Sequence, residues 1–263
     1  MTGTLAGALM AVDHLVVAAG LLVLLGGASL VAVARLPTPA WRLTGRVEGR
    51  AWWVLRVAWW ATLVGTLAGL LHGPFTAGLP LSRTLDATLL AQTVGPRFGS
   101  IWALRVLLLL LLVAFLRACV KREAAWTRTS VWVAVGVLAA PLGVTPALSG
   151  HAAGGPDAAV GAVVGVVHFS AAAVWFGGVV LLGTCVLPRP ELGSLQAVHR
   201  FSSVAFTAMV VIVVTGIVQS WRQVGSLQAL GQTAYGRLLV AKVAVFLLLI
   251  AVAASSRGWF GDG

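Results

Sequence analysis

The chain has 263 residues, 59% of them hydrophobic and only 10% charged, with a mean hydropathy of +0.99. That balance leaves too little polar surface to coat a water-soluble globule and marks an integral membrane protein. The formal net charge of +11 is not a nucleic-acid signature, because the Lys and Arg sit mostly in short links between apolar runs, where they act as topology signals; no nucleic-acid partner is expected.

A membrane span needs roughly twenty apolar residues at a rise of about 1.5 Å each. Seven stretches qualify: 11–34, 51–71, 99–118, 130–148, 159–183, 203–221 and 236–254. All are expected to be helices, since an open strand would leave backbone groups unpaired in lipid. The first carries Asp13, His14 and the pair Gly26-Gly27. It is longer than a signal-peptide core and no Lys or Arg precedes it, so it is expected to be a retained helix. The second ends at Leu71-His72-Gly73-Pro74, and His72 there marks an interfacial helix end. The third opens at Phe98-Gly99, holds Arg105 and ends beside Cys119. The fifth contains His168, with Trp175 seven positions on, and ends before Cys185. The seventh opens at Tyr235-Gly236 and holds Lys242.

Twelve of the 18 basic residues, Arg35, Arg42, Arg46, Arg50, Arg56, Arg117, Lys121, Arg122, Arg128, Arg189, Arg200 and Arg257, fall in or beside the first, third and fifth links and the tail. The positive-inside rule makes those links cytoplasmic, which places the N-terminus outside and the C-terminus inside. Trp41, Trp52, Trp53, Trp126, Trp132, Trp221 and Trp259 lie near segment ends, as an interfacial belt requires. The expected fold is therefore an all-α polytopic bundle of seven helices. His14, His72, His151 and His168 share its outer side, while His199, Cys119 and Cys185 fall inside. Phe98-Gly99 with Arg105 echoes Tyr235-Gly236 with Lys242, and His14 with Gly26-Gly27 loosely echoes His168 with Gly177-Gly178. Helices one to three then recur as five to seven in a parallel repeat.

Histidine is the commonest metal ligand, and ionisable groups within a span are functional candidates. His168 shares a face with small residues that admit a neighbouring helix, so it is expected inside the bundle. His151 precedes that helix on the outer loop, and Asp13 is placed either to ligate beside His14 or to orient its imidazole. Arg105 and Lys242 are charges in the outer third of their helices. They are tolerated there by snorkelling or by pairing, with Asp13 the acid that Arg105 or Lys242 would balance. The thiols of Cys119 and Cys185 are either small apolar groups or soft acceptors for Cu(I) at a cytoplasmic exit. There is no P-loop, Cys-Pro-Cys or HExxH, so any transport is downhill or driven by a partner.

Leu148-Ser149-Gly150-His151-Ala152, His168 leading to Trp175-Phe176-Gly177-Gly178, Arg200-Phe201-Ser202, Val214-Thr215-Gly216 and Gly231-Gln232-Thr233-Ala234-Tyr235-Gly236 with Lys242 resemble, in order and spacing, the CopD family of bacterial copper-resistance membrane proteins. Gly95-Pro96-Arg97-Phe98-Gly99 with Trp102 and Arg105 resembles the family's less regular first half. The chain is accordingly divided into an N-terminal membrane half, 1–147, and a CopD-like membrane domain, 148–263. The resemblance implies a multi-pass protein of the bacterial inner membrane that moves or delivers copper and is not an enzyme. It maps copper ligands onto His151 and His168, which His14 and Asp13 would complete, with Trp175, Arg105 and Lys242 as supporting or gating groups. It also implies a periplasmic copper carrier as donor. Family members continue into an eighth helix, so the expectation is either a membrane partner that supplies one, with this chain an accessory subunit of a larger complex, or a shortened form. Haem-binding relatives keep a second cofactor in view: His14 and His168 as axial ligands of a redox haem.

Overall fold

The computed structural model describes residues 2–35, 45–71, 88, 91, 96–120, 129–149, 157–186, 188, 194–224, 231–233, 236–237, 239–241 and 243–248. His72, His151 and Lys242 lie outside the described residues, as do the side chains of Cys119 and His199. Among the described residues all regular structure is helical. In chain order, α1 is Thr2–Arg35, α2 is Gly45–Ala68 with a 3-10 turn Gly69–Leu71, and α3 is Pro96–Val120. There follow α4, Thr129–Ser149, α5, Ala158–Leu181 with a π turn Leu182–Val186, and α6, Ser194–Val224.

Five stretches are long and apolar enough to cross a membrane: Gly7–Ala28, Gly49–Leu71, Gly99–Ala118, Ala158–Val186 and Phe201–Arg222. Val133–Pro146 within α4 and Leu239–Leu248 are shorter apolar helices. The seven expected segments therefore all fall on apolar helix, five at full spanning length, and the chain is a multi-pass membrane protein. Large apolar side chains such as Leu15, Trp60, Val137 and Ile217 remain exposed, as a surface solvated by lipid allows.

By contacts the chain divides into two compact units, 1–213 and 214–263. In the second, Thr233 caps the start of the last helical stretch: its hydroxyl accepts from the Gly236 N–H at 2.9 Å and its carbonyl from the Arg237 N–H at 3.1 Å. In the first, α2 is the most enclosed span, with 44% of its window buried against 17–22% for the others. Two indoles tie it to α3: Trp59 Nε1 donates to the Leu109 carbonyl at 2.9 Å and Trp102 Nε1 to the Thr66 carbonyl at 2.6 Å. Because 59 meets 109 while 66 meets 102, the two helices run antiparallel.

α1 packs most extensively against α5, and next against α2. The reason is glycine. A Cβ on Gly26 would land on the Ala173 carbonyl, and one on Gly177 would lie 2.7 Å from the Leu22 carbonyl oxygen and 2.8 Å from Gly26 Cα. Backbone therefore meets backbone, the closest approach two helices can make, and dispersion at that range supplies association that burial alone cannot supply in lipid. Leu22 faces Gly177 while Gly27 faces Leu181, so α1 and α5 are parallel. On the other side of α1, Gly20 faces Ala58 and Thr62 while Gly27 faces Leu55, so α1 and α2 are antiparallel. Gly178 completes the arrangement by admitting the ring of Phe201 from α6.

Gly26→Ala should lower the thermal midpoint of the purified protein by an amount matching about 1–3 kcal/mol of overpacking, because the carbonyl it strikes belongs to a helix backbone that cannot turn aside. Gly136→Ala in α4, where a Cβ meets nothing within 4 Å, should leave the midpoint unchanged or raise it slightly. Equal midpoints for the two variants would remove the crossing as the organising contact.

Candidate functional site

At the end of the bundle where α1 begins, α2 closes and α3 begins, polar groups gather inside apolar helices. Asp13 lies against α2, where a Cβ on Gly65 would stand 3.0 Å from Asp13 Oδ1 and one on Gly69 3.8 Å from Oδ2. Two glycines one turn apart thus make room for a carboxylate. Across from it, the half-buried Arg105 of α3 feels the Asp13 charge, and its Nε donates to Thr145 Oγ1 of α4 at 2.9 Å. Snorkelling, one of the two expectations for this residue, is not what the side chain does: it turns inward, because a hydroxyl and a carboxylate wait there.

Thr145 is fully buried, and its position follows from the proline beside it. Pro146 has no N–H, so the Leu142 carbonyl four residues earlier has no helical donor. The Thr145 hydroxyl donates to that carbonyl at 2.7 Å and accepts from Arg105, forming a relay from guanidinium to hydroxyl to the orphaned carbonyl. Helix-breaking residues are tolerated in lipid on this condition, that a side chain re-satisfies the freed group. Nearby, the Thr66 hydroxyl is buried without a partner among the described residues, while its carbonyl receives Trp102.

The expected ligands are placed unequally. His14 is exposed on α1, and its Nδ1 donates to the Met10 carbonyl at 2.7 Å. A carbonyl only accepts, so the neutral ring carries its lone pair on Nε2, the nitrogen suited to a metal. His168 and Trp175 are half-buried on α5, with Gly161 and Gly165 buried on the same helix. Since α1 and α5 cross in parallel at Gly26 and Gly177, His14 and His168 lie on the same side of that crossing along the bundle. They are not aimed at one another: nine residues separate His168 from Gly177, about two and a half turns, which puts its ring on the face opposite the one that meets α1. Among the described residues no three His, Cys, Asp or Glu side chains stand close enough to hold a metal ion together. At the other end, Cys185 is buried in the π turn, 2% exposed, with its Sγ 3.4 Å from Thr184 Oγ1.

Thr62, Thr66 and Thr145 were not singled out from the sequence, and Trp102 only as part of the family likeness, although a signal existed. Thr62 and Thr66 fall one turn apart on the side of α2 that carries Gly65 and Gly69, and Thr145 directly precedes an intrahelical proline.

Comparison with known proteins adds identity to this geometry. Residues 195–260 match the family model of copper resistance protein D, CopD. A curated relative, the copper transport protein CutJ of Bacillus subtilis strain 168, is 29% identical over 169 residues, 63% of this chain. The chain spans about 30% of that relative's length. No solved structure matches. The helices make the chain a multi-pass membrane protein, and its residues 195–260 are similar to the CopD family. Copper, and not haem, is the group both comparisons name.

Thr145→Val, which keeps the volume but removes both ends of the relay, should cost about 1–3 kcal/mol by leaving Arg105 and the Leu142 carbonyl unsatisfied. Thr145→Ser should recover most of it. Denaturation in one detergent checks both variants, and a neutral Thr145→Val would show that the relay is not a stabilising contact.

Proposed function

We propose that this protein binds copper at the outer side of the bacterial cytoplasmic membrane and transports or delivers it across. The observation that carries the proposal is the 169-residue likeness to a protein named for copper transport. The positive-inside pattern supports placing the Asp13 end of the bundle outside. Copper ions arriving there, from solution or from a periplasmic carrier, would meet the exposed His14 first, through Nε2. His151, which precedes α5 in the sequence, and His168 within that helix would form the receiving pair, with Asp13 as ligand or orienting carboxylate. Imidazole suits both Cu(I) and Cu(II), so the donor set leaves the oxidation state open.

Trp175, Arg105 and Lys242 support the site. Arg105 holds the Asp13 end together through charge and through Thr145, so it sets the field that an entering cation meets. Departure of soft Cu(I) would fall to Cys119 and Cys185 at the inner end. Because Cys185 is buried, that step needs the π turn to open, and irregular turns of this kind recur at functional positions in helices.

Metal analysis and an absorption spectrum of one purified sample test it. Copper should co-purify or bind on titration, a His151→Ala/His168→Ala double variant should lose most of that copper, and His14→Ala should lose less. Unchanged copper in the double variant overturns the ligand assignment. A Soret band that disappears in His168→Ala would replace copper with haem.

A further inference from the structure

The inner end of the first unit holds an open cleft of about 210 Å³ lined by four helices. Its wall is aliphatic and aromatic: Leu24 from α1, Leu55 and Trp59 from α2, Leu116 from α3 and Val135 from α4. Trp59 adds no donor to it, since its indole N–H is already given to the Leu109 carbonyl. Water in such a space would lack the polar partners it needs. Yet two guanidinium side chains border the cavity, Arg56 from α2 and Arg117 from the last turn of α3, both exposed.

Arg56 is the more telling of the two. It lies seven residues inside the span that begins at Gly49, about 10 Å along the helix, where a cation needs a counter-charge or a path to water. The acids whose side chains are described, Asp13 and Asp157, stand at the opposite end of the bundle. The two arginines therefore face an apolar cleft with no described carboxylate on their side. A guanidinium is a planar fork that matches phosphate oxygens in pairs.

We propose that this cleft binds one anionic phospholipid of the inner leaflet. One acyl chain fills the cavity against Leu24, Leu55 and Val135, and the phosphate is held between Arg56 and Arg117. The ligand class follows from chemistry on both sides of the rim. The wall accepts only hydrocarbon, the rim accepts only an anion, and an anionic phospholipid joins the two within one molecule. The site is separate from His14, His151 and His168 and stands whether or not they bind copper.

Native mass spectrometry of the full chain, equilibrated in detergent with equal amounts of phosphatidylglycerol and phosphatidylcholine, tests the proposal. The parent protein should retain phosphatidylglycerol over phosphatidylcholine by about ten-fold, the scale of one or two charge-assisted hydrogen bonds. Arg56→Gln/Arg117→Gln should bring the two lipids to parity. Both side chains are exposed, so this variant keeps its core. Ala139→Phe, which fills the cavity from α4, should reduce retention of phosphatidylglycerol while the arginines remain. Equal retention of the two lipids by the parent, or an undiminished preference in the double arginine variant, overturns the site. So does inorganic phosphate at millimolar concentration displacing the lipid, which would make it an anion site without a chain.

Discussion

Where α1 crosses α5, no side chain separates the two backbones. Gly26 and Gly177 are the only residue type that permits this, and the remaining helices are placed by it. Once α1 is seated on α5, its opposite side is free for α2, with Gly20 against Ala58 and Thr62 and Gly27 against Leu55. α2 in turn takes α3 through Trp59 and Trp102, and α4 closes against α3 and α5. In lipid this order of dependence is natural. Hydrocarbon competes with every apolar side chain for the same contacts, so what distinguishes one helix pair from another is closeness of approach and the few polar groups that must be shared.

The helical segments were legible because hydropathy and length carry nearly all of that information for a membrane chain, although α1 and α6 each begin nine residues before the apolar runs that mark them. The adjacency of helices one and five was hinted at by the echo between His14 with Gly26-Gly27 and His168 with Gly177-Gly178. In space one glycine of each pair, Gly26 and Gly177, meets the other helix's backbone, while Gly178 turns to Phe201 of α6. The polar interior was harder to read. Arg105 offers the same letters whether it snorkels or turns inward, and only the arrival of Thr145 from a helix forty residues away decides between them. Thr145 itself is explained by Pro146, a local signal that makes sense only once Leu142 is known to lack its donor. Of the histidines, His14 and His168 share one side of the α1–α5 crossing, but their rotation could not be read, since the pitch of α5 relative to its glycine face depends on which side meets α1.

Several residues that carry the CopD resemblance turn out to do structural service. Gly177 meets α1, Gly178 admits Phe201, and Thr233 caps the helical stretch that follows it. A motif of this kind identifies an architecture more securely than a chemistry. It explains why a family match over 195–260 goes with a recognisable bundle, while the groups that handle the cargo must be sought one by one along the helices.

The relay from Arg105 through Thr145 to the Leu142 carbonyl also constrains how the chain is made. Arg105 leaves the ribosome forty residues before the hydroxyl that satisfies it, and its partner charge on Asp13 has by then already entered the membrane in α1. A nascent α3 released alone into the bilayer would carry an unsatisfied guanidinium in hydrocarbon, and a nascent α4 would carry a carbonyl with no donor but its own threonine. Insertion of the two helices as a pair, held at the translocon until both are present and docked on α1 and α2, is the route on which neither group faces lipid uncovered. The polar cluster at the Asp13 end of the bundle thus favours insertion of α3 and α4 together.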